Sequence, residues 1–386
     1  MKRRFTPSTS PVCIAAAITA VFLLADAPLV KSLVGEGLSL CLNAVIPSLF
    51  PFAVITELIF FDGRGIVFPH FVRRALHSVF GISEGLASAF ITGTITGFPM
   101  GTTAISKIYS AGGCTKEEAE YAAALSGMPS PAFIVGAVGT AVFSSVHAGV
   151  FLLLIQLLSM FPVSVLLRTA LRRKTSSDTP SVPQSGHTKF RLSAVSTAVK
   201  NAGTNMLAIC SCVVFFTVIS GYALRHAGAL GQESGIFGAV VSGFFEITAG
   251  TSKLGGTHIL RALPCVAALI GFGGLSIACQ VSLVCEKSGM SIKPFLLSRI
   301  YFAFFNFVFT LAAEYFLPFA VPTFGSDIVK ALTPKYECVG AVPYFRYAFL
   351  FSVAMLAAKL LPPVVSAIAK RFSEKKNAAQ NGGKKA

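Results

Sequence analysis

Apolar residues in this chain run in long blocks, without the period of two of a half-buried strand. Blocks of about 20 mostly apolar residues, the length at which a helix crosses a bilayer, occupy 11–30, 38–60, 147–167, 205–223, 294–317 and 344–369. Each predicts a membrane-spanning helix. The first has two readings. Lys2, Arg3 and Arg4 precede an apolar run that closes on Ala25-Asp26-Ala27, as in a signal peptide with an A-x-A site. The run is long for a signal peptide, which favours a retained span.

Between the clean spans lie apolar stretches that are interrupted. The first pair is 84–113 followed by 115–143, and the second is 235–256 followed by 259–289. The first member of each pair breaks at Gly97-Phe98-Pro99-Met100-Gly101-Thr102-Thr103 and at Glu246-Ile247-Thr248-Ala249-Gly250-Thr251-Ser252-Lys253. The second members break at Ser126-Gly127-Met128-Pro129-Ser130-Pro131 and at Gly271-Phe272-Gly273-Gly274-Leu275-Ser276. Backbone released from a helix cannot face lipid, so it must be buried in protein or line a wet cavity. Helices that restart there present free N–H groups and a positive dipole end. Thr102, Thr103, Ser130, Thr251, Ser252 and Ser276 sit at or near the restarts, where a hydroxyl caps the helix or holds a solute. At any single break, kinking and local backbone satisfaction explain the residues. Four breaks at corresponding places predict a polar pocket between half-helices.

Charge sharpens that picture. Glu246 lies in an otherwise apolar stretch, and an ionisable group at membrane depth needs a partner or a function. Lys253 across the break and a charged solute are both options. Lys107 follows the first break by one to two turns, where snorkelling to headgroups competes with a pocket role. Gln280, four residues after Ser276, puts an amide on the same helix face. Thr115 with Glu118 forms a capping-box pattern that opens a helix.

Composition agrees with a membrane protein. Hydrophobic residues make up 54% and charged residues 12%, about half the charged share of a soluble domain. This excludes a soluble enzyme and a disordered chain. The net charge of +16 sits in short segments beside apolar spans, which points to anionic lipid headgroups and not to nucleic acid. Nine cysteines, mostly inside apolar stretches, are packing residues. None of the six histidines has metal-site spacing, and no nucleophile–base set appears. No metal, cofactor or enzymatic activity is therefore expected.

The N-terminus carries three Lys/Arg, the 62–83 loop three, the 168–191 linker six and the C-terminal tail six, together 18 of the 32. By the positive-inside rule these segments and both termini are cytoplasmic. The spans 38–60 and 205–223 then run in opposite directions, as do 147–167 and 294–317. The expected architecture is all-α and polytopic, with two inverted repeats containing broken or re-entrant helices. The segments are a helix at 1–34, a first repeat at 35–168, a basic linker at 169–191, a second repeat at 192–318, a helix at 319–372 and a basic tail at 373–386.

Three stretches, 96–139, 243–254 and 269–300, resemble in order and spacing the YlbJ-type sporulation integral membrane proteins. These belong to the wider nucleoside recognition or Gate group. The resemblance implies an inner-membrane protein with two Gate-type repeats and a role in spore envelope assembly. It supplies no substrate. The chain departs from the family where Phe98 replaces a usual Tyr, where Gly127-Met128-Pro129 replaces Asn residues, and at Ala278, near which a His is common. Each departure removes a hydrogen-bonding side chain. The expected function is transport or gating of a small polar solute, nucleoside-like being one option, with a non-transporting assembly scaffold as the alternative. The expected site comprises Gly97, Pro99, Gly101, Thr102, Thr103, Lys107, Ser130, Pro131, Glu246, Thr248, Thr251, Ser252, Lys253, Gly273, Gly274, Ser276 and Gln280. Beyond the bilayer and the solute, a homo-oligomer or a membrane partner protein is compatible with the pattern.

Overall fold

A computed structural model describes residues 11–63, 65–171, 192–228, 235–255 and 259–316. The 344–369 span, the C-terminal tail and most of the basic linker lie outside the described residues. Within them every regular element is helical.

Helix α1 (Pro11–Ala25) leads into α2 (Ala27–Leu40), which continues through a π turn at Cys41–Val45 into α3 (Ile46–Ile59). The second span thus begins at Ala27, earlier than the expected residue 38, and forms one 33-residue apolar rod. The π turn precedes Pro47, which cannot continue the helical ladder. Ser48 donates its hydroxyl to the Ala44 carbonyl at 2.6 Å beside that irregularity.

The 62–83 segment, read from its polar and basic residues as a loop, contains helix α4 (His70–Phe80). Its apolar residues recur on one side of two basic turns, a period that a search for long apolar runs passes over. The chain then bends by 111° into a short 3₁₀ turn and α5 (Ala87–Thr96). Helix α6 (Met100–Ser110) doubles back along α5. A Cβ on Gly93 would stand 2.7 Å from the Gly101 Cα, and one on Gly85 would stand 3.0 Å from the Gly113 carbonyl. The pair is a re-entrant hairpin with its tip at 97–99.

Helix α7 (Lys116–Ser126) starts at the predicted capping box. Thr115 accepts from the Glu118 N–H at 3.3 Å, and Glu118 accepts from the Thr115 N–H at 3.0 Å. After the break at 127–130 the chain resumes as a π-helix, Ala132–Val142, and returns as α8 (Val146–Ala170). Gly139 and Gly149 let the π-helix and α8 meet backbone to backbone.

Helix α9 (Leu192–Gly228) runs antiparallel to the α2–α3 rod. Asp26 meets Arg225 at 3.7 Å at one end, Gly37 packs on Val214 midway, and Glu57 meets Asn201 at 3.0 Å at the other. Helix α10 (Gly235–Phe245) and the short α11 (Ile247–Ser252) form a second hairpin, closed where Gly250 lies on the Gly243 backbone. Helix α12 (Ile259–Phe272) breaks at Gly273 and continues as α13 (Gly274–Ser288), and α14 (Lys293–Phe316) follows.

The ends of the bundle can be read from these contacts. Arg168 lies beside Gly81, Gly85 beside Gly113, and the Ser291 N–H donates to Glu120 at 2.6 Å. The starts of α5 and α7 and the turn before α14 therefore share one end with the basic 62–83 segment. Gly255 lies near the Val142 carbonyl, which places the end of α11 with the end of the π-helix at the opposite end. The core fills the space between α7, α8, α12 and α14 with Tyr121, Leu125, Ile134, Phe295 and Phe302, all fully enclosed. Leu154, Leu207, Phe215, Ile300 and Phe304 point outward, as lipid-facing residues do.

Candidate functional site

The four breaks meet. Gly97 closes α5 at φ +77°, a conformation open to glycine, and a Cβ there would stand 2.5 Å from the Ser130 N–H. The Phe98 N–H donates to the Met128 carbonyl at 3.0 Å, joining the first break to the second. The Phe98 ring lies against Gly273, joining the first to the fourth. Gly274, at φ +86°, lies on the Gly243 and Phe245 carbonyls, joining the fourth to the third.

Between them lies a cavity of about 40 Å³. Phe98, Pro129 and Ser130 line it from the first half, and Glu246, Ile247, Thr248, Ile277 and Gln280 from the second. The π turn and α3 close it with Val45, Ser48 and Leu49, and α9 with Ile209 and Val213. A space of this size holds a water or two.

Glu246 is the one acid lining this cavity. It caps α11, accepting from the Ala249 N–H at 2.6 Å, and the Thr248 backbone and hydroxyl hydrogen-bond it as well. The Ala249 N–H and the Thr248 groups satisfy the hydrogen bonding of a carboxyl group that is only 1% exposed. Ser130 accepts from the Phe133 N–H at 3.2 Å at the restart of the π-helix. Gln280 donates to Ser276 at 3.2 Å, as the four-residue spacing predicts, while its own Oε1 has no hydrogen-bond partner among the described residues.

Other expected site residues lie elsewhere. Ser252 and Lys253 are exposed at the far end of α11, so Lys253 does not reach across the break to Glu246. Helix α11 is too short to return them to the tip. Thr251 is buried but spends its hydroxyl on the Ile247 carbonyl. Thr102 is buried outside the cavity with no partner for its hydroxyl among the described residues. Gly101 is the contact that lets α6 lie on α5, and Pro131 stands half-buried at the start of the π-helix. Pro99 and Thr103 border a second, larger cavity on the other side of Gln280.

Lys107 is neither free nor in the cavity. It forms an ion pair at 2.8 Å with Glu57, whose side chain is 4% exposed and which also accepts from Asn201. This cluster ties the α5–α6 hairpin to α3 and α9. Glu57 was missed, although an acid inside Val54-Ile55-Thr56-Glu57-Leu58-Ile59 carries the same signal as Glu246. Arg299 was missed for the same reason. It is buried between Phe295 and Phe302, at 4.7 and 4.6 Å from the ring centres, and donates to the Ala124 carbonyl at 2.9 Å. Among the described residues no cluster of His, Cys, Asp or Glu has the makings of a metal site.

Together these features define a class: a multi-pass α-helical membrane protein whose helices break inside the bundle around a small, mostly apolar cavity that holds a buried glutamate. The chain is similar to the sporulation integral membrane protein YlbJ of Bacillus subtilis (strain 168), with 25% identity over 312 residues that cover 71% of this chain and 75% of that protein. This likeness supports the YlbJ-type assignment carried by the three motifs. No family model matches the chain, and no solved structure matches it.

Proposed function

We propose that this chain binds a small polar solute where its four helix breaks meet and carries or gates that solute across the bacterial inner membrane, in support of spore formation. The observation behind this is the convergence of four interruptions, distant in sequence, on one cavity that holds a buried glutamate side chain. A protein needing only an anchor gains nothing from that arrangement, because each interruption gives up helical hydrogen bonds that side chains or distant backbone must then replace. The link to sporulation comes from the name of the similar Bacillus subtilis protein. The group resemblance makes a nucleoside-like solute the first probe.

The order span, hairpin, broken span, span occurs twice, with α2–α3 and α9 antiparallel. We read this as two inverted Gate-type repeats. The Lys/Arg distribution puts the termini in the cytoplasm. A cavity for one or two waters is too small for a solute, so the reading requires the hairpin tips to part during the cycle.

Reconstituted protein tests this with tritiated uridine and, in parallel, a bacterial metabolite extract read by mass spectrometry. Glu246→Ala is expected to abolish flux while the protein stays folded by gel filtration. Undiminished flux would remove the cavity from the mechanism. The scaffold reading makes the reverse prediction: cavity variants stay functional in sporulation, and deleting 373–386 or scrambling 175–188 abolishes function.

A further inference from the structure

A second cavity, of about 210 Å³, lies between α6, α9 and α13. It shares Ile209 and Gln280 with the break cavity and opens toward Lys287 and Ser288, at the end of the bundle that carries the basic 62–83 segment. At about 30 Å³ per water it holds roughly seven waters' volume, room for a small organic solute.

The polarity of its lining is one-sided. Thr103 donates its hydroxyl to the Pro99 carbonyl at 3.2 Å, Ser106 to the Thr103 carbonyl at 2.8 Å, and Ser288 to the Val284 carbonyl at 2.9 Å. Each hydroxyl has committed its proton to backbone, leaving oxygen lone pairs for anything in the cavity. Gln280, 3% exposed, contributes an Oε1 that nothing in the described structure satisfies. A buried acceptor without a donor is costly, and a donor-bearing solute would relieve it. Asn205 can supply either polarity, and Lys287, exposed at the rim, is the one cation.

We propose that this vestibule is a solute-binding site selective for small molecules rich in hydrogen-bond donors, such as polyols, and that Gln280 passes them between the vestibule and the break cavity. The site rests on the transport reading for its purpose, but its chemistry is separately testable. Most of its lining is built to receive donors, and an anion would find protons to accept only at Asn205, Ser110 and the rim.

The test uses Ala208→Cys, a small position on the α9 wall, in otherwise native full-length protein in nanodiscs. Labelling by a charged methanethiosulfonate is read as the increment over the native cysteines. The expected result is labelling, slowed by myo-inositol and not by inorganic phosphate. Gln280→Leu weakens the inositol protection by about tenfold, the equivalent of one good hydrogen bond. Ser106→Ala is a second, milder arm expected to weaken it in the same direction. Glu117→Gln, exposed in the first turn of α7 and lining neither cavity, leaves protection unchanged. Three outcomes overturn the proposal: no labelling, protection by phosphate in place of inositol, or inositol protection that neither Gln280→Leu nor Ser106→Ala weakens. Any of them leaves the Glu246-dependent flux test intact, so the two readings fail separately.

Discussion

Removing the Lys107 ammonium should destabilise the protein more than neutralising its partner does. At the observed 2.8 Å, an effective dielectric of about 20 gives a gross attraction of about 6 kcal/mol, most of it offset by desolvating the carboxylate. The two partners are not buried alike: the Glu57 side chain is 4% exposed and that of Lys107 26%. Lys107→Met strands a buried carboxylate with Asn201 as its one remaining partner in the cluster. Removing one member of a buried pair costs about 3–5 kcal/mol, and the partial exposure of this one brings the figure to roughly 2–3 kcal/mol. Glu57→Gln keeps an acceptor for Asn201 and frees a long cationic side chain that can extend to water, at a cost of about 1 kcal/mol or less. The double variant should resemble Glu57→Gln alone, giving a coupling energy of about 2 kcal/mol. Unfolding of the reconstituted protein by titration with sodium dodecyl sulfate measures all four species. Equal costs for the two single variants, or strict additivity in the double, would refute the claim that the pair is a buried electrostatic tie between the α5–α6 hairpin and α3.

Two further predictions follow from close packing. Gly97→Ala places a methyl 2.5 Å from the Ser130 N–H in a backbone conformation nearly reserved for glycine. It should cost about 3 kcal/mol or more and abolish flux, whereas Gly112→Ala, in open space at a similar φ, should cost about 1 kcal/mol and leave flux intact; the same titration and flux assays decide. Arg299→Met should change stability by less than about 1 kcal/mol or increase it, because no carboxylate lies within ion-pair distance among the described residues and the Ala124 carbonyl keeps its bond from Ser298. Arg299→Ala, which opens a hole between two phenylalanine rings, should cost about 2–4 kcal/mol.

The helical breaks were legible because glycine, proline and β-hydroxyl residues cluster where an apolar helix cannot continue, and the capping box at Thr115 was legible because it is local. Contacts that depend on where a distant helix lands were not. Lys107 reads the same in sequence whether it snorkels or pairs; only the seating of α3 alongside α6 and antiparallel to α9 brings Glu57 to it. The same limit explains Lys253. Seven residues of separation from Glu246 is compatible with a helix folding back across its break, but α11 carries the lysine away from the tip. Helix α4 escaped because its apolar residues are few and periodic, a surface pattern and not a spanning one.

The two hairpins are fastened differently, and this bears on which one moves. The α5–α6 tip is bonded to the second break through Phe98 and Met128, and its shaft is tied to α3 by the Lys107–Glu57 pair. The α10–α11 hairpin, closed on itself where Gly250 lies on Gly243, meets its neighbours through Gly274 on the Gly243 and Phe245 carbonyls, Leu269 over Gly243 and the Phe244 ring stacked on Phe272, and its outer end carries the exposed Ser252 and Lys253. Among the described residues none of these contacts is an ion pair, so parting them costs dispersion but no charge pairing. The break cavity already borders the vestibule at Gln280, on the side toward the basic end. The barrier toward the opposite end is this hairpin, which no ion pair fastens among the described residues, with Glu246 at its tip. An ionisable carboxyl group at the tip of this hairpin, facing the cavity, is where a solute's own binding energy shifts the balance between closed and open.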